Sequence, residues 1–126
     1  LDEMVHEGDT AYMKKTERIS AIPVNFLRGA NWNNKLIVAD EAQNFTFKEL
    51  TTLITRIGKN TKLLICGDFM QSDINGRGGF REMFDLFDCE ESVGQGITCF
   101  KFTNRDIVRS KILKYIVSKI EKHKQV

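Results

Sequence analysis

The sequence contains no long hydrophobic run. Its longest uninterrupted apolar stretches, such as Leu36–Ala39, are four residues, whereas a membrane-crossing helix needs about 20. The chain begins Leu1-Asp2-Glu3, which is acidic where a secretory signal peptide would be basic. We therefore expect neither a membrane protein nor a secreted one. Because the first residue is not Met, we also expect the chain to be part of a longer reading frame.

Cysteine and histidine are also scarce. The three cysteines, Cys66, Cys89 and Cys99, form no Cys-x-x-Cys pair, and His6 and His123 lie near opposite ends of the chain. A zinc site needs ligands at much closer spacing. The pattern predicts buried, reduced thiols in a cytoplasmic protein.

The composition that remains fits one globular domain. A chain of 126 residues with 41% hydrophobic and 29% charged residues is typical of folded, soluble proteins. Its basic residues are concentrated near the C-terminus, at Lys101, Arg105, Arg109, Lys111, Lys114, Lys119, Lys122 and Lys124. Two interpretations stay open for this segment: contact with nucleic-acid phosphates, or a solvated lysine face on a surface helix.

Two short apolar runs predict buried strands, at Lys35–Ala39 and Leu63–Cys66. Between them, residues 46–49 read Thr-Phe-Lys-Glu, which is the form of a capping box. We expect a helix to begin there and to end at Gly58.

Further elements are predicted on either side of this unit. Before it, we expect a helical remnant over residues 1–18 with a break at Gly8-Asp9, and a strand over Ser20–Asn25. After it, we expect a flexible glycine-rich loop (75–79), a helix over Phe80–Phe87 and a strand over Ile97–Phe102. A final helix, capped by Thr103 or Asn104, would carry on one face Val108, Ile112, Ile116 and Ile120. The alternation of strands and helices predicts an α/β fold with a parallel sheet and right-handed crossovers.

Polar residues follow both strands at their carboxyl ends, where ligands collect in open α/β sheets. Asp40 would hold Mg²⁺ through water, since this ion keeps several of its waters. Glu41 would polarise an attacking water as general base, and Gln71 would orient that water or sense a γ-phosphate. Gly67 and Asp68 would complete a nucleotide site from the neighbouring strand.

Two other functions stay open. A metal-dependent nuclease would gather Asp40, Glu41, Asp68 and Asp73 around metal ions, although Gln71 would then have no role. The other is a non-catalytic nucleotide-fold module that associates with partners. This function would fit the absence of a phosphate loop, since no Gly-x-x-x-x-Gly-Lys-Ser/Thr motif occurs in the sequence.

These segments together resemble the PhoH-like ATPase family. The resemblance is carried by Asp40-Glu41-Ala42-Gln43-Asn44, which is similar to the family's Walker B region, by residues 53–58 and 67–73, and by the flanking segments 22–23, 26–29, 102–103 and 106–109. It covers about residues 20–120. The motifs Asp-Glu-x-Gln and Gly-Asp-x-x-Gln are also similar to motifs II and III of superfamily-one helicases.

The resemblance implies a three-layer, RecA-like P-loop NTPase core with a mostly parallel sheet, incomplete because the phosphate-loop strand is missing. It implies ATP hydrolysis with Mg²⁺, with Asp40 and Glu41 as the Walker B pair and Gln71 as the motif III glutamine. Arg109 stands where the family has an arginine suited to the γ-phosphate, and Arg28 is a further candidate for nucleotide contact. Some family members form rings and are associated with RNA unwinding or phosphate starvation. RNA or single-stranded nucleic acid, and a homo-oligomeric ring, are therefore implied for the complete protein.

The differences between this sequence and the family pattern lead to further expectations. The missing phosphate loop supplies most of the grip on the β- and γ-phosphates, so this chain alone is expected to bind ATP poorly and to hydrolyse it little. Ser110 replaces the histidine that usually follows the arginine, which leaves the exact role of Arg109 open. The absent strand predicts an open slot between Leu63–Cys66 and Ile97–Phe102, and marginal stability.

Overall fold

The computed structural model describes residues 5–23, 31–71, 78–106, 108 and 110–124. The fold is mixed α/β with a small parallel sheet, and the chain divides into two compact units, Leu1–Leu86 and Phe87–Val126. None of the helices within these described ranges has the length and apolar character needed to span a bilayer.

The first unit is built on two parallel strands. Helix α1 (Glu7–Lys15) precedes strand β1 (Leu36–Ala39), helix α2 (Phe47–Ile54) leads to strand β2 (Lys62–Ile65), and helix α3 (Gly79–Phe87) follows. The strands pair in register, with Leu36 opposite Lys62 and Ala39 opposite Ile65. The predicted β–α–β unit and its parallel pairing are confirmed.

The capping box at the start of α2 is also confirmed. The hydroxyl of Thr46 accepts the backbone N–H of Glu49 at 3.2 Å, and the Glu49 carboxylate accepts the backbone N–H of Thr46 at 2.8 Å. Two of the four free N–H groups at a helix start are satisfied in this way. The apolar side of α2 then places Leu50 and Leu53 in the core.

Helix α2 ends at Ile54, which is earlier than the predicted stop at Gly58. Gly58 instead allows two loops to approach each other at the amino ends of the strands. Its N–H donates to the carbonyl of Trp32 at 2.6 Å, and a Cβ at this position would lie 2.0 Å from Asn33 Oδ1. Gly58 is therefore required by a close contact rather than by a helix cap.

Among the described residues, only one face of the sheet is covered. Ile37, Leu63 and Ile65 pack with Ala39 around Leu53 of α2. On the opposite face, Leu36, Val38 and Leu64 are 66%, 57% and 49% exposed. The prediction that both strands are buried is therefore wrong for the residues on this face. Successive side chains of a strand point to opposite faces, and the described residues cover one of them.

Two expectations near the N-terminus differ from the structure of the described residues. Helix α1 runs through Gly8 and Asp9 without a break, since a glycine in a helix costs only about 1 kcal/mol relative to alanine. Residues 20–23 form no strand, and residues 24 and 25 lie outside the described part. Residues 75–77 of the predicted glycine-rich loop also lie outside the described residues.

The second unit begins with the end of α3 and continues into a short helix, α4 (Glu90–Gly94). Gly96, at φ +88°, closes α4. Its N–H donates to the carbonyl of Val93 at 3.0 Å, and the N–H of Ile97 donates to the carbonyl of Ser92 at 2.9 Å. This is a Schellman arrangement, which needs a left-handed residue after the helix.

The predicted strand over Ile97–Phe102 is wrong, because these residues are irregular and form no ladder with any described residue. Phe100 and Phe102 are 70% and 75% exposed, with their rings 5.0 Å apart. The alternating pattern of this segment is a local signal, whereas a strand exists only with a partner. The slot predicted beside this strand therefore has no counterpart in the described structure.

The final helix is confirmed as α5 (Lys111–Lys124). Thr103 caps a preceding 3-10 turn, Asn104–Asp106, rather than α5. The Asp106 carboxylate accepts the backbone N–H of Thr103 at 2.7 Å and its hydroxyl at 2.9 Å. These bonds lower the pKa of Asp106. The apolar residues of the predicted helical face, Val108, Ile112, Ile116 and Ile120, are all exposed, and Val108 lies before the start of α5.

The cysteines differ from their predicted burial. Cys66 and Cys89 are exposed and Cys99 is half-buried, and none of the three forms a disulfide bond. Cys66 lies just beyond β2, where the chain leaves the sheet. Its position in an apolar run therefore did not indicate a buried side chain.

Candidate active site

A polar cleft opens at the carboxyl ends of β1 and β2. Its volume is about 240 Å³, and it is lined by Asp40, Glu41, Gln43, Gly67, Asp68 and Gln71. Five of these six are the site residues that the sequence predicted for the two strand ends. The other two candidates, Arg28 and Arg109, lie outside the described residues.

The strand pairing continues beyond the strands and forms the floor of the cleft. The N–H of Cys66 donates to the carbonyl of Ala39, and the N–H of Ala42 donates to the carbonyl of Cys66, both at 2.8 Å. Ala42 is completely buried. These bonds fix the separation of the two loops that carry the polar side chains.

Glu41 adopts a left-handed backbone conformation at φ 53° and ψ 38°, just before a 3-10 turn over Ala42–Asn44. This conformation costs about 1–2 kcal/mol for a residue other than glycine. The Asp40 carboxylate supports it by accepting the Glu41 backbone N–H at 2.9 Å. Strained residues of this kind are frequent at functional sites, where neighbouring contacts hold them in place.

Asp68 organises the other side of the cleft. One carboxylate oxygen accepts the backbone N–H of Met70 at 2.8 Å, and the other accepts the side-chain amide of Gln71 at 2.9 Å. Asp68 thereby fixes the 3-10 turn Phe69–Gln71 together with the side chain at its end. In the cleft, Asp68 therefore holds the side chain of Gln71 in position.

The back of the cleft is packed with aromatic rings. Phe69 contacts Phe80 and Phe84 of α3, each with 5.2 Å between ring centroids. A Cβ on Gly67 would lie 2.8 Å from the Phe80 ring and 3.0 Å from the Gln43 backbone nitrogen. Only glycine fits there without movement of the wall, so the packing accounts for Gly67 independently of any ligand.

Gln43 is a site residue that the sequence analysis did not single out. It is 4% exposed, and its side chain contacts both loops of the cleft. Its amide nitrogen donates to the Glu41 carboxylate, and its amide oxygen accepts the backbone N–H of Asp68 at 3.0 Å. Its sequence signal is its place as the last residue of the Asp-Glu-x-Gln motif, which was noted above without a role for this glutamine.

The cleft is acidic. Asp40, Glu41 and Asp68 contribute carboxylates, and the lining residues that the structure describes include no lysine or arginine. Within the described part of the chain, no three His, Cys, Asp or Glu side chains are grouped as a metal site held by protein alone. Asp73, the fourth carboxylate of the nuclease alternative, lies outside the described residues. The described geometry therefore offers no support for a nuclease metal cluster.

Comparisons with known proteins all identify the same family. The family model described as PhoH-like protein matches residues 1–121. A PhoH-like protein of Mycobacterium tuberculosis (strain H37Rv) is 30% identical over 85% of this chain, and protein PhoH of Escherichia coli K12 is 31% identical over 75% of it. A PhoH-like protein of Bacillus subtilis 168 is 28% identical over 97% of it.

The chain belongs to the PhoH-like family. The matched region makes up 30%, 26% and 38% of these three relatives. The chain thus spans about a third of the length of the curated relatives that it matches.

Proposed function

We propose that this chain supplies the metal-binding and water-activating part of an ATP-hydrolysing site in a RecA-like P-loop NTPase. The observation that carries the proposal is the cleft at the two strand ends, which joins Asp40 and Glu41 to Gln71. Membership of the PhoH-like family supports a nucleotide as the ligand.

The donor set of the cleft fits Mg²⁺. This ion prefers oxygen ligands and keeps several waters, so one or two carboxylates are enough to bind it. Asp40 is the residue that would hold it, because its exposed carboxylate lies at the tip of β1. When bound, the ion supplies neutralisation of the negative charge on the phosphate oxygens.

Glu41 is the proposed general base. Its exposed carboxylate faces the cleft and would accept a proton from the attacking water. Gln71 would orient that water through its neutral amide, which adds no negative charge beside the phosphate. Asp68 holds Gln71 in place and takes no part in the proton transfer.

The acidic lining implies that the cations for the phosphates come from elsewhere. No basic side chain from the described part of the chain lines the cleft, and the 126 residues contain no phosphate loop. Arg109 and Arg28 remain the proposed contributors from this chain. Action on RNA or single-stranded nucleic acid, and assembly into a ring, are proposals for the complete protein that rest on the family resemblance alone.

The test compares Glu41→Gln with Glu121→Gln, an exposed control in α5, in the protein translated from the whole reading frame. Mg²⁺-dependent ATP turnover is expected to fall about 10²- to 10⁴-fold in Glu41→Gln and to stay unchanged in the control. Nucleotide binding, measured by calorimetry, should persist in both variants.

Unchanged turnover in Glu41→Gln would remove the catalytic assignment. Nucleotide binding without any turnover in the unmodified protein would favour the non-catalytic module. Metal-dependent cleavage of nucleic acid without ATP turnover would favour the nuclease.

A further inference from the structure

Gln43 uses both ends of one side-chain amide to join the two loops of the cleft. Its nitrogen donates to Oε2 of Glu41, and its oxygen accepts the backbone N–H of Asp68 at 3.0 Å. The residue is 4% exposed, so water does not replace either partner easily. An unpaired amide in such a place would be costly, and both bonds are therefore needed.

The orientation of this amide is fixed by its partners. A rotation that exchanged its oxygen and nitrogen would place an acceptor against the Glu41 carboxylate and a donor against the Asp68 N–H. Both contacts would be repulsive. Gln43 thus has one arrangement, and in that arrangement one oxygen of Glu41 is committed to it while the other is left for the cleft.

The surroundings of Gln43 leave it little room to move. Gly67 lies against its backbone nitrogen, and the Phe80 ring closes the space behind Gly67. Ala42, its neighbour, is fully buried and bonded to Cys66. Gln43 is consequently a rigid link, whereas Glu41 without it would be an exposed side chain with free rotation.

We propose that Gln43 is a positioning residue that sets the distance and orientation of Glu41 relative to the Asp68–Gln71 arm. The proposal rests on the proposed function, because it assigns Gln43 to the same water-activating site. Gln43 acts through Glu41 and Asp68 and does not itself touch the reacting water.

Other side chains at this position would fail in distinguishable ways. Glutamate would retain an acceptor for the Asp68 N–H but would place a second carboxylate against Glu41. Methionine has a similar length and would make neither bond. Asparagine is shorter by one carbon–carbon bond, about 1.5 Å, and would not span both partners.

The first test needs no ATP turnover and uses the protein from the whole reading frame. Hydrogen exchange at the Asp68 amide is expected to be about 10-fold faster in Gln43→Met, because the loss of one buried hydrogen bond exposes that amide. Gln43→Glu should keep the exchange close to that of the unmodified chain. Gln95→Met, at the exposed end of α4, is the matched control and should change nothing at Asp68.

The second test uses turnover by the protein from the whole reading frame. Both Gln43→Glu and Gln43→Met should lower kcat about 10- to 100-fold, the usual effect of removing the partner that orients a functional ligand. The KM for Mg·ATP should change little, since Gln43 does not contact nucleotide. Combined with Glu41→Gln, neither variant should lower kcat further, because the group that Gln43 positions is already lost.

These outcomes separate the inference from the function on which it rests. Unchanged exchange at Asp68 in Gln43→Met, or losses that multiply in the Glu41→Gln background, would overturn the positioning role. A protein without ATP turnover would overturn the proposed function, while the exchange experiment would still decide whether Gln43 links the two loops. A variant Gln43→Met that fails to fold leaves the decision to Gln43→Glu.

Discussion

The side-chain amide of Gln71 donates to the carboxylate of Asp68, with 2.9 Å between Nε2 and Oδ2. The other oxygen of Asp68 accepts the Met70 N–H, so one carboxylate fixes both the turn and the glutamine that it carries. Asp68, which the sequence analysis assigned to the nucleotide site, is therefore also engaged in holding another side chain of that site.

We predict that Asp68→Ala lowers ATP turnover by about the same factor as Gln71→Ala, and that the double variant is no worse than either. The physical reason is that both changes release the same arm of the cleft. Steady-state kinetics on the protein from the whole reading frame measures this. Asp85→Ala, whose exposed pair with Arg81 is 4.0 Å long, is the control and should have no effect, since exposed ion pairs contribute little. Full multiplication of the two losses would contradict the prediction.

A second prediction concerns the start of α2. Thr46→Ala should lower the free energy of unfolding by about 1 kcal/mol, because it removes the acceptor for the Glu49 N–H. Chemical denaturation followed by circular dichroism gives this value. Thr51→Ala changes the same residue type within the helix, at an exposed position, and should change the free energy by less than about 0.5 kcal/mol. Equal losses in the two variants would show that the cap is not the cause.

A third prediction concerns Gly79, the first residue of α3. A Cβ there would lie 2.0 Å from the Phe47 backbone nitrogen, so Gly79→Ala forces α3 away from the start of α2. We expect a loss of about 1–3 kcal/mol in the free energy of unfolding. Gly8→Ala is the matched control, since nothing lies within 4 Å of that Cβ, and it should be neutral or stabilising. A stable Gly79→Ala variant would mean that α3 does not pack there.

A fourth prediction concerns the thiols. Cys89 is exposed, and a hydrogen bond from the Ser92 side chain lowers its pKa. Burial is the main factor that raises the pKa of Cys99. Because the thiolate is the reactive form, alkylation of Cys89 should begin at lower pH and proceed faster at neutral pH than alkylation of Cys99.

Iodoacetamide labelling followed by peptide mass spectrometry across a pH series measures the two rates. Ser92→Ala should move the Cys89 profile to higher pH and leave that of Cys99 unchanged. Faster labelling of Cys99 than of Cys89 at neutral pH would contradict the prediction.

The sequence was sufficient to predict the cleft because the signals there are local. A capping box, two aliphatic runs and the acids that follow them each depend on a few neighbouring residues. Parallel pairing then brings the ends of the runs to one edge. That reasoning placed Asp40, Glu41, Gly67, Asp68 and Gln71 together without coordinates.

The features that the sequence did not reveal depend on distant contacts. Gln43 was missed because its importance comes from the direction of its side chain across to Asp68, 25 positions away. The strand expected over Ile97–Phe102 was wrong because alternation of residue types does not supply a pairing partner. The exposure of Leu36 and Val38 was missed because an aliphatic run does not say how many faces of a sheet are covered.

That uncovered face has a practical consequence for the stability measurements. The folded chain exposes hydrophobic surface at Leu36, Val38 and Leu64. Fluorescent dyes that report unfolding by binding hydrophobic surface would therefore give a signal before the chain unfolds. A thermal-shift assay with such a dye would begin from a high background, and the rise in signal on unfolding would be small. Intrinsic fluorescence avoids this, because the single tryptophan, Trp32, forms a bridge with Ile57 beside the sheet.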